Sequence, residues 1–288
     1  MNKQLFAHIA ELGKLRISFS VALTTFTGYL MFSGAIDAGI IWPTLGIFIL
    51  SMGSAALNHY QEVPLDSRMP RTQQRPLPTK AVSREFARNM ILIATFAGVL
   101  ILLYGAGWPT MVIGLLTLVW YNAIYTPLKK ITAFAVVPGS MVGALPPIAG
   151  WVAAGGSPFD KFIILVAFFF FMAQIPHFWL LLLKYGKEYE NAGLPTLMQI
   201  FSKKQLRNLT FIWVAATAAT AMLIPFYGII QHWIFILMLV VASFTTIVYV
   251  SKTLMIKDFI NNVGKTFLQI NLYFLAVMIL IWADQLIR

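Results

Sequence analysis

Long apolar runs dominate the chain, and they constrain its fold more than any other feature. Residues 40–57 carry no charge at all, and an apolar run of about 18 residues crosses a bilayer as a helix. Eight further runs lie at roughly 17–34, 90–104, 109–124, 134–154, 162–183, 209–229, 232–250 and 266–283. The runs are continuous rather than alternating, and lipid offers backbone groups no hydrogen-bond partners. The sequence therefore predicts an all-α polytopic membrane protein with nine transmembrane helices.

The composition leaves little room for other structure. Hydrophobic residues make up 59% of the 288 residues and charged residues 11%, whereas soluble domains carry about 25% charged residues. Nine spans of about 20 residues each use most of the chain. We therefore expect one transmembrane domain that covers residues 1–288. The chain has no cysteine, which excludes disulfides and thiolate metal sites.

The formal net charge of +11 could indicate binding to nucleic acid, but its distribution argues against this. Of the 21 lysines and arginines, all except Lys161 and Arg288 fall on one side of the predicted spans. This asymmetry follows the positive-inside rule and predicts a cytoplasmic N-terminus. We expect a multi-pass protein of a bacterial-type inner membrane, whose partner is the lipid bilayer and not nucleic acid.

A polar block, NHYQEVPLDSRMPRTQQRPLP at residues 58–78, follows the second span directly. Asn58, Glu62 and Asp66 are spaced by four and share one face if the helix continues. Acids at the end of a membrane helix are costly and indicate a functional site. Carboxylate and amide oxygens suit Mg²⁺ that also binds phosphate. Two alternatives stay open: Pro64 could end the helix and leave Asp66 in the loop, or the charges could simply terminate a helix.

Basic residues accompany these acids. Arg71 and Arg75, which are four residues apart, follow Asp66 and precede a stiff Pro-Leu-Pro segment. Arginine forks bind phosphate oxygens in pairs, so the acids would bind a cation and the arginines its anion. Lys129 and Lys130 fall on the same side of the predicted membrane, and Lys14 could also face the site.

A second polar segment ends the sixth span. Gln174, His177, Lys184 and Glu188 step by three, seven and four, so they share a helical face. Glu188 could complete a second cation site, while Lys184 and Lys187 could pair with diphosphate oxygens. A histidine within a membrane helix is a candidate ligand, acid or base. Alternatively, His177 could be hydrogen-bonded to a neighbouring helix.

The ordered set of motifs resembles the intramembrane (UbiA-type) prenyltransferases, and within them the heme O synthase (protoheme IX farnesyltransferase) family. The segments that carry the resemblance are Asn58-x-x-x-Glu62-x-x-x-Asp66, Arg71-Thr72-x-x-Arg75-Pro76-Leu77-Pro78, Lys14-x-Arg16, Tyr125-Thr126 with Lys129-Lys130, Gly143-Ala144-x-Pro146-Pro147, Pro176-His177-Phe178-Trp179 and Tyr189-x-x-Ala192-Gly193. Together they extend over nearly the whole chain. Glu188 stands where these families more often have aspartate.

The resemblance implies nine helices around a central cavity, with Mg²⁺, an isoprenoid diphosphate donor and a membrane-buried acceptor. It implies farnesyl transfer from farnesyl diphosphate to the vinyl group of heme B. The implied roles are catalytic metal ligands (Asn58, Glu62, Asp66, Glu188), diphosphate-binding bases (Lys14, Arg16, Arg71, Arg75, Lys129, Lys130, Lys184, Lys187) and acceptor-binding residues (His177, Trp179, Tyr125). One alternative is a related prenyltransferase that acts on a quinone or another aromatic acceptor. Another is a transporter of lipid phosphates, but the inverted repeats typical of transporters are not evident.

Reporter fusions test the predicted topology. A reporter that is active only outside the cytoplasm should be inactive after Lys203 and active after Arg288. Lys203 follows the sixth predicted span and Arg288 the ninth, so the two positions lie on opposite sides of the membrane. A fusion after Lys161 is the matched control and should behave like the fusion after Arg288. If the fusions at Lys203 and Arg288 report the same side, the nine-span topology is wrong.

Overall fold

The computed structural model describes residues 3–256 and 259–288, and this part of the chain is helical without strands. Its helices are α1 (Lys3–Leu12), α2 (Leu15–Ser33), α3 (Ile41–Asp66), α4 (Arg84–Ala106), α5 (Trp108–Val119), α6 (Thr126–Leu128), α7 (Val136–Gly139), α8 (Met141–Ala153), α9 (Lys161–Asn191), α10 (Lys203–Phe226), α11 (Trp233–Leu254) and α12 (Val263–Ile287). A π-helical turn, Trp120–Tyr125, joins α5 to α6. Lys257 and Asp258, in the connection expected near 251–265, lie outside the described residues.

The predicted spans are confirmed. Within the described ranges, nine helical segments are long and apolar enough to cross a membrane, from Leu15–Ser33 to Val263–Ile287. Two of them continue beyond the predicted ends at residues 57 and 183: α3 runs to Asp66 and α9 to Asn191. Each extension adds about two turns. These extensions carry the polar residues singled out in the sequence.

Pro64 does not break α3, so Asp66 is helical rather than part of the loop. Proline prevents one backbone hydrogen bond to the residue four positions earlier. Here that loss falls in the last turn, where little helix remains to be disturbed. The backbone N–H of Ser67 donates to Val63 O at 3.1 Å and closes the helix end. The predicted common face of Asn58, Glu62 and Asp66 is therefore present.

The spans form a closed ring. Moving around it, α2, α3, α4, α5, α8, α9, α10, α11 and α12 each pack on the next, and α12 returns to α2. Inside the ring α2 also crosses α8 at very short range. Gly28 lies against the Pro147 carbonyl and Gly150 against the Thr25 carbonyl, positions where a Cβ would overlap the opposing backbone. Small residues allow such close packing of membrane helices.

The interior between α9, α10, α11 and α12 is closely packed. A space of about 10 Å³ lies beside Pro176, between Val214, Thr246 and Tyr273 of the neighbouring helices. Such a space holds about one water molecule.

The two ends of the bundle differ in chemistry. We call the end that holds α1 and the connections 67–83, 129–135 and 192–202 the basic end. At the opposite end, large aromatic side chains are exposed near the helix termini: Trp42, Tyr104, Trp108 and Trp233. Tryptophan and tyrosine concentrate where a membrane meets water. The aromatic side chains thus place a membrane interface at the end opposite the bases.

Substitution of Gly150 tests the crossing of α2 and α8. We expect Gly150→Ala to destabilise the protein by about 1–3 kcal/mol, because the new methyl group forces the Thr25 carbonyl away. Thermal unfolding in detergent measures this. Gly264→Ala is the matched control, since its Cβ would have only Lys184 Nζ at 4.0 Å. Equal melting temperatures for the two variants would contradict the close crossing.

Candidate active site

Five segments meet at the basic end: the start of α2, the end of α3, the connection 67–83, the end of α6 and the end of α9. The polar face of α3 lies at their centre. Asn58, Glu62 and Asp66 are only 2%, 5% and 1% exposed. Burial of a charged group is costly unless it is paired and hydrogen-bonded. Each of the three side chains is held by a basic residue from another segment.

Lys14 holds Asn58. Its Nζ donates to Asn58 Oδ1 at 2.9 Å and to the Tyr121 hydroxyl at 3.3 Å. The Lys14 backbone has φ 45° and ψ 54°, the left-handed region that non-glycine residues seldom occupy. Such strain clusters at functional sites. Burial lowers the pKa of Lys14 to about 8, and the positive charge of Arg75 adds to this effect. The turn between α1 and α2 therefore directs Lys14 into the cluster.

The two acids of α3 have their own bases. Lys129, just after α6, is ion-paired with Glu62. Nη1 of Arg75 donates to both carboxylate oxygens of Asp66, at 2.9 and 2.8 Å. Buried pairs of this kind are stable only when both partners are present. The acids and bases predicted to bind a metal diphosphate are thus bonded to each other.

Glu188 brings the second predicted half of the site to the first. Its Oε2 accepts from the backbone N–H of Arg71 at 3.3 Å. The Arg71 guanidinium donates to the Tyr189 hydroxyl at 3.2 Å and lies 4.9 Å from the Tyr185 ring centre. These contacts join the end of α9 to the connection 67–83. The structure therefore brings together the two motifs that the sequence separates by more than a hundred residues.

The other predicted bases lie further out. Their side chains are exposed: Arg16, Lys130, Lys184 and Lys187. Lys184 Nζ lies 5.1 Å from the Tyr185 ring centre. The side chains of Arg16, Lys130 and Lys187 have no hydrogen bond or ion pair with the described residues. The structure groups Lys14, Arg71, Arg75 and Lys129 around the acids, whereas these four bases line the rim.

Two further residues hold Asn58: Tyr121, which was missed in the sequence, and Thr126, which belongs to a motif of the resemblance but was given no role. The Tyr121 hydroxyl donates to Asn58 Oδ1 at 3.2 Å, and Asn58 Nδ2 donates to Thr126 Oγ1 at 3.1 Å. Both lie in or beside the π-helical turn, a feature often found at functional sites. The sequence could have indicated Tyr121 by its spacing, because it stands four residues before the predicted Tyr125. In the structure the two rings stack with their centres 5.8 Å apart.

Two of the predicted acceptor residues, His177 and Trp179, lie in different surroundings. The half-buried His177 ring lies 4.4 Å from the Phe267 ring and within reach of the Asn271 amide of α12. The His177 ring therefore packs against the neighbouring helix α12. Trp179 lies about 200° further around α9. It is buried against Trp213 in the hydrophobic core, with ring centres 5.7 Å apart.

The oxygen atoms do not form a ready-made metal cage. Within residues 3–256 and 259–288, no three acidic or histidine side chains lie close enough to hold a metal ion. The acids instead alternate with bases. Such an arrangement can receive a cation and an anion together, since the acids then bind the cation and the released bases bind the anion.

Comparison with known proteins gives the family. The model of the UbiA prenyltransferase family matches residues 21–282. Protoheme IX farnesyltransferase of Geobacter sulfurreducens is 36% identical over 214 residues, which cover 74% of this chain and 79% of the relative. Protoheme IX farnesyltransferase of Oleidesulfovibrio alaskensis is 32% identical over 279 residues and covers 96% of both chains.

Solved structures share the fold. One similar solved structure is described as concerning the biosynthesis of digeranylgeranylglyceryl phosphate synthase in membranes. Its TM-score with this chain is 0.76 at 14% identity, and the match covers 98% of this chain and 99% of that chain. A UbiA homolog from Archaeoglobus fulgidus bound to GPP and Mg²⁺ has a TM-score of 0.67 at 12% identity, covering 94% and 99%. These TM-scores show that the overall fold is shared. With the match to the family model and the close relatives, this shows that the chain is a prenyltransferase of the UbiA family.

Proposed function

We propose that this prenyltransferase transfers the farnesyl group of farnesyl diphosphate to a vinyl group of heme B (protoheme IX), which yields heme O in the membrane. The relatives named protoheme IX farnesyltransferase support the choice of donor and acceptor. The observation that carries the proposal is the buried cluster on α3, where each predicted metal ligand is bonded to a base. A metal diphosphate supplies the opposite charges that both sets require.

The donor atoms fit Mg²⁺. Asn58, Glu62 and Asp66 would hold one ion and Glu188 would complete a second site, and all four offer oxygen, the ligand that Mg²⁺ prefers. Mg²⁺ commonly binds one or two carboxylates together with substrate phosphates rather than a complete protein cage. The absence of a three-acid cage among the described residues agrees with this habit. When bound, Mg²⁺ would supply positive charge to the diphosphate as it leaves.

The bases have the second task. Arg71, Arg75, Lys14 and Lys129 lie within the cluster and would exchange their protein partners for diphosphate oxygens. Charge-assisted hydrogen bonds of this kind are the strong ones. They would neutralise the negative charge that develops when the bond between the farnesyl carbon and the diphosphate oxygen breaks. The products of this step are diphosphate and an allylic cation.

Aromatic rings lead from the cluster toward the proposed acceptor. Tyr121 stacks on Tyr125 at 5.8 Å, Tyr125 lies 6.0 Å from Phe178, and Phe178 lies 5.8 Å from His177. Aromatic faces attract cations and exclude water that would quench them. The heme vinyl carbon would attack the farnesyl cation and form a carbon–carbon bond. Water would then add to the other vinyl carbon and lose a proton, which gives a hydroxyethylfarnesyl group.

Replacement of Asp66 tests the metal site. We expect Asp66→Asn to lower turnover at least about a hundredfold, because a ligand that neutralises the leaving group is lost. The isosteric amide can still accept from Arg75, so the protein should remain folded. Farnesyl transfer to heme B in detergent is the assay.

Glu85→Gln is the matched control for this variant. Glu85 is an exposed acid near the basic end, and its one ion pair among the described residues, to Arg88, is long at 3.8 Å. The control should have wild-type activity. Near-normal turnover of both Asp66→Asn and Glu62→Gln would remove the acids from the proposed mechanism.

Replacement of His177 tests the acceptor side. His177 lies about 16 Å deeper than Glu188 along α9, from a rise of about 1.5 Å per residue. We expect His177→Ala to weaken the use of heme B at least tenfold and to spare the binding of farnesyl diphosphate with Mg²⁺. Transfer to heme B and binding of the diphosphate are measured separately, with His8→Ala of α1 as the histidine control.

The same assays separate heme from other acceptors. If His177→Ala converts heme B normally, His177 is a packing residue held by Phe267 and Asn271. If the wild-type protein prenylates a quinone precursor and leaves heme B unchanged, heme is not the acceptor. The assignment to the family of prenyltransferases would stand in both cases, since it rests on the whole chain.

A further inference from the structure

His59 is buried beside the acid cluster and has no hydrogen-bond partner among the described residues. Its side chain is 2% exposed. Neither Nδ1 nor Nε2 has a hydrogen bond within the part of the chain that the structure describes. A buried polar group without a partner destabilises a fold by about 1–3 kcal/mol. Such a side chain therefore indicates a ligand that completes its hydrogen bonds.

The position of His59 points to the diphosphate site. It lies on α3 three residues before Glu62, so the two share a helical face. The charged groups that act on the His59 ring are Lys14, Arg75 and Lys129, the bases that hold the α3 cluster. Two of these bases are paired with acids of the same helix, Lys129 with Glu62 and Arg75 with Asp66. When a cation takes up these acids, the bases beside His59 are left to face an anion.

The other polar groups nearby differ from His59. Glu62 Oε1 also lacks a hydrogen bond, but it faces the ammonium group of Lys129. Asn58 and Asp66 have partners at both polar atoms. Outside the cluster, His232 does have a partner, since its Nδ1 lies 3.1 Å from Asp284 Oδ1. Among the polar side chains of the α3 cluster, His59 is thus set apart by having neither a hydrogen bond nor an ion pair within the described residues.

The depth of His59 specifies which part of the anion it meets. It lies about 4.5 Å further into the membrane than Glu62, from the rise of about 1.5 Å per residue. An isoprenoid chain extends into the apolar interior, so the phosphate bonded to the chain lies deeper than the terminal phosphate. The ring of His59 is at the level of this inner phosphate.

We propose that His59 is a further substrate-binding residue, whose ring N–H donates a hydrogen bond to the inner phosphate of the isoprenoid diphosphate. This inference rests on the proposed function, because it assumes the same diphosphate site. Its ring N–H adds one hydrogen-bond donor to the four bases. It would fix the end of the diphosphate from which the chain departs.

Binding of a non-reactive donor analogue tests the proposal. The probe is farnesyl thiodiphosphate with Mg²⁺, titrated calorimetrically into the full-length protein in detergent. We expect His59→Leu to weaken binding about ten- to hundredfold, as for the loss of a hydrogen bond to a charged group. His59→Gln keeps a donor at similar reach and should restore binding to within a few fold of the wild type. His59→Phe is a second apolar variant in case His59→Leu does not fold.

Trp151→Phe is the matched control. Trp151 is also buried with an unpartnered donor, Nε1, but it lies on α8 toward the opposite end. Its replacement should leave the affinity unchanged. Melting temperatures of all variants are recorded, and the apolar variants at position 59 should melt no lower than the wild type in the absence of ligand, because they remove an unsatisfied polar group.

The outcomes separate this inference from the proposed function. Wild-type affinity in His59→Leu or His59→Phe would overturn the role of His59 and leave the proposed function intact. An equal loss in the apolar variants and in His59→Gln would show that ring shape matters rather than the donor, and would also overturn it. If the wild-type protein does not bind the analogue with Mg²⁺, the proposed function and this inference both fail.

Discussion

Pairing between the buried acids of α3 and bases from other segments is the interaction on which the rest of the site depends. Lys14, Lys129 and Arg75 come from three different parts of the chain and meet on one helical face. Buried acids without these partners would destabilise the bundle. The need for neutrality therefore assembles the basic end. The same pairs, once opened, present ligands for a cation and for its anion.

A buried acid alone does not make a site, as the opposite end of the bundle shows. Asp284 is fully buried, yet it accepts hydrogen bonds from the backbone N–H groups of Gln231 and His232 and from Arg288. These partners come from one short connection and from the chain end. They fasten α12 to the connection before α11 and leave no group unsatisfied. The α3 cluster differs because distant segments converge there and because His59 has no hydrogen-bond partner in the part of the chain that the structure describes.

Much of the fold could be read from the sequence because its causes are local. The length of an apolar run decides whether a helix can span the membrane, and all nine predicted spans are present among the described residues. Helical periodicity placed Asn58, Glu62 and Asp66 on one face, and the structure keeps them there. The ends were less predictable. Pro64 suggested a break in α3, but a proline in the last turn removes too little hydrogen bonding to stop the helix.

The sequence by itself determined the number of spans, the side that carries the bases and the residues that share a helical face. Only the tertiary structure decided which of these residues meet. Lys14 and Arg16 belong to one motif, but the left-handed backbone of Lys14 turns it into the cluster while Arg16 remains exposed. Tyr121 reaches Asn58 because a π-helical turn rotates it there. Periodicity fixes directions within one helix, whereas the rotation of one helix relative to another depends on packing contacts between distant segments.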